Sequence, residues 1–340
     1  MRASLGLIRR QVRQHRQIRA QDLDVAPQNQ LVEAHQPFGI GGAEAHLCES
    51  CDHTLTLAMF DPQHGQQPLP RDRAWIAVNR DDRNDGPMSS SAEHVLEGGN
   101  VADVVVRVGS TVRKPATAST AAVEALLDHF AGVGFSGAPR SLGRDELGRH
   151  VLEYIPGELA YSGSRLAAGE LRRLGALVHE LHDAAESFEP PPGPEWNVVI
   201  APDREELICH HDLAPWNLVR DGDRWVFIDW DGAGPGSRLW DLAYTAATFV
   251  PLCAGGDPGL DGPRLRALAD GYGLDEPQRQ AFPDLIAAHT RGMYDLLHSA
   301  SLTGEQPWAR LYDEGHGEHW GPATEYIEAH VEHWTAALLR

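Results

Sequence analysis

The chain has 340 residues, enough for two lobes, with 42% hydrophobic and 23% charged side chains, the balance of a globular protein. It carries 49 acidic against 29 basic side chains, and a net charge of −20 repels phosphate backbones and argues against nucleic-acid binding. Four cysteines are too few for a disulfide scaffold, and no run approaches the roughly 18 apolar residues that a membrane-spanning helix needs.

Residues 1–87 differ from the rest of the chain. They hold 10 of the 13 glutamines, and their 10 arginines nearly cancel 11 acids. Residues 88–340 hold 19 basic against 38 acidic side chains. The first segment has little hydrophobic periodicity and is expected to be disordered or poorly packed, or an extension upstream of a true start at Met88. His46, Cys48, Cys51 and His53 have zinc-like spacing, but no second CxxC pair occurs after them, so they read as chance.

Strand and helix patterns begin after Met88. Residues 94–100 and 101–108 read as strands, the first ending in Gly98, Gly99 and Asn100. Gly109-Ser110 reads as a tight turn into a strand over 111–114, which Pro115 stops. A helix over 121–130 and strands over 139–142 and 150–155 complete a small lobe. A glycine loop lets backbone N–H groups approach phosphates, and a cation at a strand end can steady their charge. The candidates for that cation are Arg113 and Lys114, the only lysine in the chain, with Glu124 on the helix to orient it.

Residues 207–209 form a short apolar strand. His210-His211-Asp212-Leu213-Ala214-Pro215-Trp216-Asn217 comes next, then strands over 217–220 and 225–228 around Asp221-Gly222. The second strand runs into Asp229-Trp230-Asp231-Gly232. A loop between strands can aim Asp212 at an acceptor hydroxyl. Five residues later Asn217 returns with a neutral oxygen, and the hairpin brings Asp229 back beside it. Asp and Asn oxygens suit Mg²⁺, and phosphoryl transfer needs such positioning and charge neutralisation. His210 belongs to this set as a brace of the loop by hydrogen bonding, and His211 as a neighbour. Asp231 reads as a turn acid, Trp216 and Trp230 as packing residues, Cys209 and Cys253 as small hydrophobes.

Residues 210–217 and 226–231 resemble the aminoglycoside phosphotransferase family of the protein-kinase-like superfamily. Tyr154-Ile155-Pro156-Gly157-Glu158 is similar to its inter-lobe crossover, and Leu181-His182-Asp183 to its helix before the catalytic loop. Arg238-Leu239-Trp240-Asp241-Leu242-Ala243 is similar to its segment after the metal aspartate. The resemblance implies an α/β (α+β), two-lobed protein-kinase-like fold. A small antiparallel-sheet lobe over 92–155 would bind nucleotide, and a larger, mainly helical lobe over 156–340 would bind the acceptor. It implies a cytoplasmic kinase moving the γ-phosphoryl of ATP or GTP to a hydroxyl of an aminoglycoside-like or other small metabolite. Asp212 would be the base, Asn217 and Asp229 the Mg²⁺ ligands, and Asp241 a structural acid. Arg113 or Lys114 would contact phosphates, with nucleotide beside Glu153, Tyr154 and Ile155.

The remainder reads as helices. Leu171, Leu174, Leu177, Val178 and Leu181 have helical spacing over 169–184. Further helices are expected over 242–250, capped by Asp241, and near 263–271, 277–301 and 324–339, with Pro263 and Pro277 in first turns. His316, His319, His330 and His333 read as solvated helix residues and not as a metal site. Two other functions fit less well: a catalytically inactive nucleotide-binding protein of this fold, and a metal-dependent hydrolase using His210, His211, Asp212 and Asp229. The sequence assigns no oligomeric state.

Overall fold

Alternation of buried and half-buried side chains marks two adjacent strands of the first sheet of the computed structural model, which describes residues 93–96 and 105–340. Its strands are β1 (Glu93–Leu96), β2 (Val105–Val108), β3 (Thr111–Lys114), β4 (Ser141–Arg144) and β5 (His150–Glu153). They pair antiparallel in the order β1-β2-β3-β5-β4. Val112 and Lys114 of β3 point inward, Thr111 and Arg113 outward, as a period of two requires. Gly109, at φ +56°, begins the turn between β2 and β3 where Val108 faces Thr111. Helix α1 (Thr120–Val133) buries Val123, Leu126, Leu127 and Phe130 and ends at Gly134, at φ +81°.

The chain then crosses through Tyr154 and Ile155 into a larger, mostly helical part. It contains β6 (Glu158–Leu159), α2 (Ala168–Glu186), β7 (Leu207–Cys209), β8 (Leu218–Asp221), β9 (Arg224–Phe227) and β10 (Gly234–Gly236). Helices α3 (Arg238–Phe249), α4 (Pro258–Tyr272), α5 (Glu276–Thr303), α6 (Trp308–Leu311), α7 (Gly317–Ala329) and α8 (Val331–Leu338) complete it. β8 pairs with both β6 and β9, and β7 pairs with β10. Leu171, Leu174, Val178 and Leu181 of α2 are buried, as their spacing predicts, and Leu177 is half-buried. α2 and α4 cross at two glycines: a Cβ on Gly271 would collide with the Arg172 carbonyl, and one on Gly175 with the Leu268 carbonyl. All described residues belong to one unit of contacts, and among them no helix is long and apolar enough to cross a membrane.

Several expectations need correction. Pro263 lies inside α4, which begins at Pro258 with Asp257 as its N-cap, the Asp257 carboxylate accepting from the Gly259 N–H at 2.8 Å. The expected helix over 324–339 is two helices, α7 and α8, parted at His330. Asp241 is not an N-cap: α3 starts a turn earlier, capped by the Ser237 hydroxyl, and Asp241 lies in its first turn. The expectations for residues 1–87 and for Gly98, Gly99 and Asn100 lie outside the described residues.

Candidate active site

The loop after β7 is organised from below. Asp241 is fully buried, and its carboxylate accepts from the His210 N–H at 3.1 Å, the His211 N–H at 2.9 Å and His182 Nε2 at 3.1 Å. Burial opposes its charge, yet the His182 bond and the nearby imidazoles hold the carboxyl below the usual range. His182 in turn bonds the Tyr272 hydroxyl at 2.8 Å through Nδ1. These bonds fix His211 at φ +65°, a left-handed conformation that redirects the chain toward Asp212.

His210 completes the brace. Its Nδ1 accepts the Asp212 N–H at 3.2 Å, so Nε2 carries the proton and donates to the Ile228 carbonyl at 3.0 Å. The ring lies 4.5 Å from that of Trp230, and burial lowers its pKa and keeps it neutral. Both nitrogens are committed, so His210 positions the loop and does not serve as a base.

Asp212 emerges partly buried. Asn217 Nδ2 donates to its Oδ2 at 2.8 Å and to its carbonyl at 3.0 Å. Trp216 and Tyr244 also lie near the carboxylate and favour its charged form, two neighbours whose role sequence reasoning missed. No spacing signal ties Tyr244 to Asp212, since it arrives on α3. Burial and the charge of Asp229 nevertheless push the Asp212 pKa up to about 7.

The hairpin register places Asp229. Leu218 faces Phe227, and one step on the Ile228 N–H donates to the Asn217 carbonyl at 2.8 Å. Asp229 comes next, at φ +63°. Across from it, Lys114 Nζ lies 3.3 Å from Asp229 Oδ1 and 2.6 Å from Asp231 Oδ1. Burial opposes the lysine's charge, but the two carboxylates outweigh it and raise its pKa.

The other candidates are distributed differently. Arg113 points to the opposite face of β3, 3.5 Å from Asp145, so Lys114 is the cation brought to Asp229. Glu124 does not meet Lys114 but binds Arg144 through two contacts of 2.9 and 3.1 Å. Glu153 binds Arg224 at 2.9 Å and accepts the Arg140 N–H at 3.2 Å. Tyr154 is buried, with the Arg107 guanidinium 3.9 Å from its ring centroid, and Ile155 is buried beside it. Two carboxylates, Asp229 and Asp231, therefore share one ammonium, and Asp212 lies close enough to Asp229 to feel its charge. That excess of hard anionic oxygen, with the Asn217 amide oxygen, fits a hydrated divalent cation.

Comparison with known proteins bears on this arrangement. The pattern of the family described as the phosphotransferase enzyme family matches residues 196–282, the stretch from before β7 into α5. The trifolitoxin immunity protein of Rhizobium leguminosarum bv. trifolii is 32% identical over 229 residues, covering 63% of this chain and 86% of the relative. Amicoumacin kinase hAmiN, solved with AMP-PNP, Ca²⁺ and Ami, superposes with a TM-score of 0.52 at 14% identity, over 70% of this chain and 88% of that one. That likeness extends to the kinase-like fold. The chain belongs to the phosphotransferase enzyme family.

Proposed function

We propose that the protein is a small-molecule kinase that moves the γ-phosphoryl group of ATP or GTP to a hydroxyl of its acceptor. The observation that carries this reading is the convergence of Asp212, Asn217, Asp229 and Lys114 across the two parts of the fold. Asp212 orients the acceptor hydroxyl and takes its proton as the oxygen–phosphorus bond forms. The bond from γ-phosphorus to the bridging oxygen breaks, and the nucleoside diphosphate leaves with that electron pair. Asn217 holds the Asp212 carboxylate by its donated bond, and His210 and Asp241 hold the loop. Lys114 faces the phosphates as a fixed positive charge. Asn217 and Asp229 would hold Mg²⁺, which when bound neutralises phosphate charge.

The histidines weigh against a hydrolase. His210 has both nitrogens engaged, and His211 Nε2 donates to the carbonyls of Gly234 and Pro235 at 3.2 and 3.1 Å. A dinuclear centre would need those nitrogens free. An intact set of acid, amide and lysine also favours a working enzyme over an inactive binder. The relative's name, an immunity protein, supports a toxic compound disarmed by phosphorylation as the acceptor, over a housekeeping metabolite.

The test is a thermal-shift screen of the purified chain with ATP and GTP, each with Mg²⁺, followed by transfer of labelled γ-phosphate to a panel of hydroxylated antimicrobial compounds. The reading expects nucleotide stabilisation and label on at least one acceptor, lost in Asp212→Ala while nucleotide still binds. Equal loss of binding and transfer in Asp212→Ala would make Asp212 structural and end the proposal.

A further inference from the structure

The chain's one lysine has its nearest counter-ion on an unexpected element. Sequence order offered Glu124 to orient Lys114, yet Glu124 is engaged elsewhere, in a two-point contact with Arg144. The sheet shows why. Lys114 of β3 faces His150 of β5, and His150 faces Arg144 of β4. Glu124 thus pairs with a cation that the sheet carries two strands from the lysine. His150 stands between them, almost fully buried, its pKa lowered to about 4 by burial and by Lys114. It is a neutral side chain, not an anion that could relay the pairing.

Asp231 takes the place of that partner at 2.6 Å, against 3.3 Å for Asp229. Were Asp229 to hold a metal ion, Asp231 would remain as the lysine's carboxylate. The two acids flank Trp230, which is locked in place: its Nε1–H donates to the Phe227 carbonyl at 2.9 Å, and its ring lies 5.2 Å from that of Phe130 on α1. One rigid turn therefore sets both the metal carboxylate and the partner of the phosphate-facing lysine. A lysine on a flexible four-carbon stem needs such a fixed counter-charge to point one way.

We propose that Asp231, not Glu124, is the positioning residue that holds Lys114 toward the nucleotide phosphates, an inference that rests on the phosphotransfer reading above.

The test is calorimetric titration of the full chain with AMP-PNP plus Mg²⁺ and, separately, with adenosine, which has no phosphates for Lys114 to meet. Asp231→Asn should weaken AMP-PNP binding about tenfold and leave adenosine binding within about twofold. Asp231→Glu should recover part of the loss, and Glu124→Gln should leave both affinities within about twofold. Lys114→Met should match Asp231→Asn, and the double variant should lose no more than either single one; should Asp231→Asn fold poorly, the contrast of Asp231→Glu, weakened for AMP-PNP and not for adenosine, with Glu124→Gln, unchanged for both, carries the test. Unchanged AMP-PNP binding in Asp231→Asn, a loss in Glu124→Gln instead, or recovery of Asp231→Asn by raised Mg²⁺ would each overturn the assignment, the last by making Asp231 a metal ligand. Failure of the unsubstituted chain to bind AMP-PNP would overturn it together with the reading beneath it.

Discussion

Asp241, in the first turn of α3, and Asp212 lie on opposite sides of one short loop and are treated in opposite ways. Asp241 is fully buried, yet two backbone N–H groups and an imidazole satisfy it, and it stays charged. Asp212 also accepts from a side-chain amide, that of Asn217, yet burial and the neighbouring Asp229 leave its carboxyl half-protonated near neutral pH. The region under the loop is finished by folding. The region above it carries three carboxylates for one ammonium, an imbalance that folding leaves for a ligand to correct. The first region holds shape and the second holds chemistry, so substitutions in the two should separate stability from turnover.

The largest separation is expected at Asp212. Asp212→Asn should lower kcat by about 10³-fold, the range for loss of a general base. The same change should stabilise the nucleotide-free fold by on the order of 2 kcal/mol at pH 8. The folded pKa of about 7 lies above the ordinary aspartate value of 3.8. The cost of burying the carboxylate is thus absent below pH ~4, grows between ~4 and 7, and is complete above. Urea unfolding at both ends of that window checks it, and equal stabilisation at pH 4 and 8 would contradict the assignment.

Asp241→Ala should do the reverse. It strands three buried donors and should cost about 3–4 kcal/mol of stability in the same assay. A loss under about 1 kcal/mol would remove the contrast between the two acids. Gly271→Ala tests the scaffold far from either acid. Its Cβ would press on the Arg172 backbone, and about 2 kcal/mol should be lost with nucleotide affinity of the folded fraction unchanged.

Much of the site was legible because it is local in sequence. Asp212, Asn217 and Asp229 come from a loop, a five-residue return and a hairpin register, all within 20 residues. The choice between Arg113 and Lys114 was open until pairing of β3 with β5 fixed which face points inward; alternation then decides it. Glu124 failed as the lysine's partner for a non-local reason: Arg144 comes from a strand after the helix, and strand register cannot be read from that strand alone. The roles of Tyr244 and Asp231 are likewise tertiary. The Asp241 cap failed locally, since Ser237 was available one turn earlier and takes the cap.

His289 lies between the two regions and gives the smallest but most specific test. It packs 4.8 Å from the ring of Trp240, next to Asp241, and stacks 5.0 Å from Tyr244, which neighbours Asp212. It is buried, its Nδ1 has no partner among the described residues, and burial depresses its pKa to about 3. A histidine depressed on folding contributes stability that is fully present above its unfolded value of 6.5 and is lost as pH falls toward 3. Lowering the pH from about 7.5 to 5.5 should therefore remove about 1.4 kcal/mol through this residue alone. His289→Gln cannot take up that proton, so its stability should fall less over the same interval, by about that amount, whatever its absolute value. The comparison of slopes discounts Asp212, whose contribution runs the other way with pH and is common to both proteins. An unchanged slope would mean that His289 is already charged inside the fold, and a charge there would leave Tyr244 a cationic neighbour and Asp212 a lower pKa.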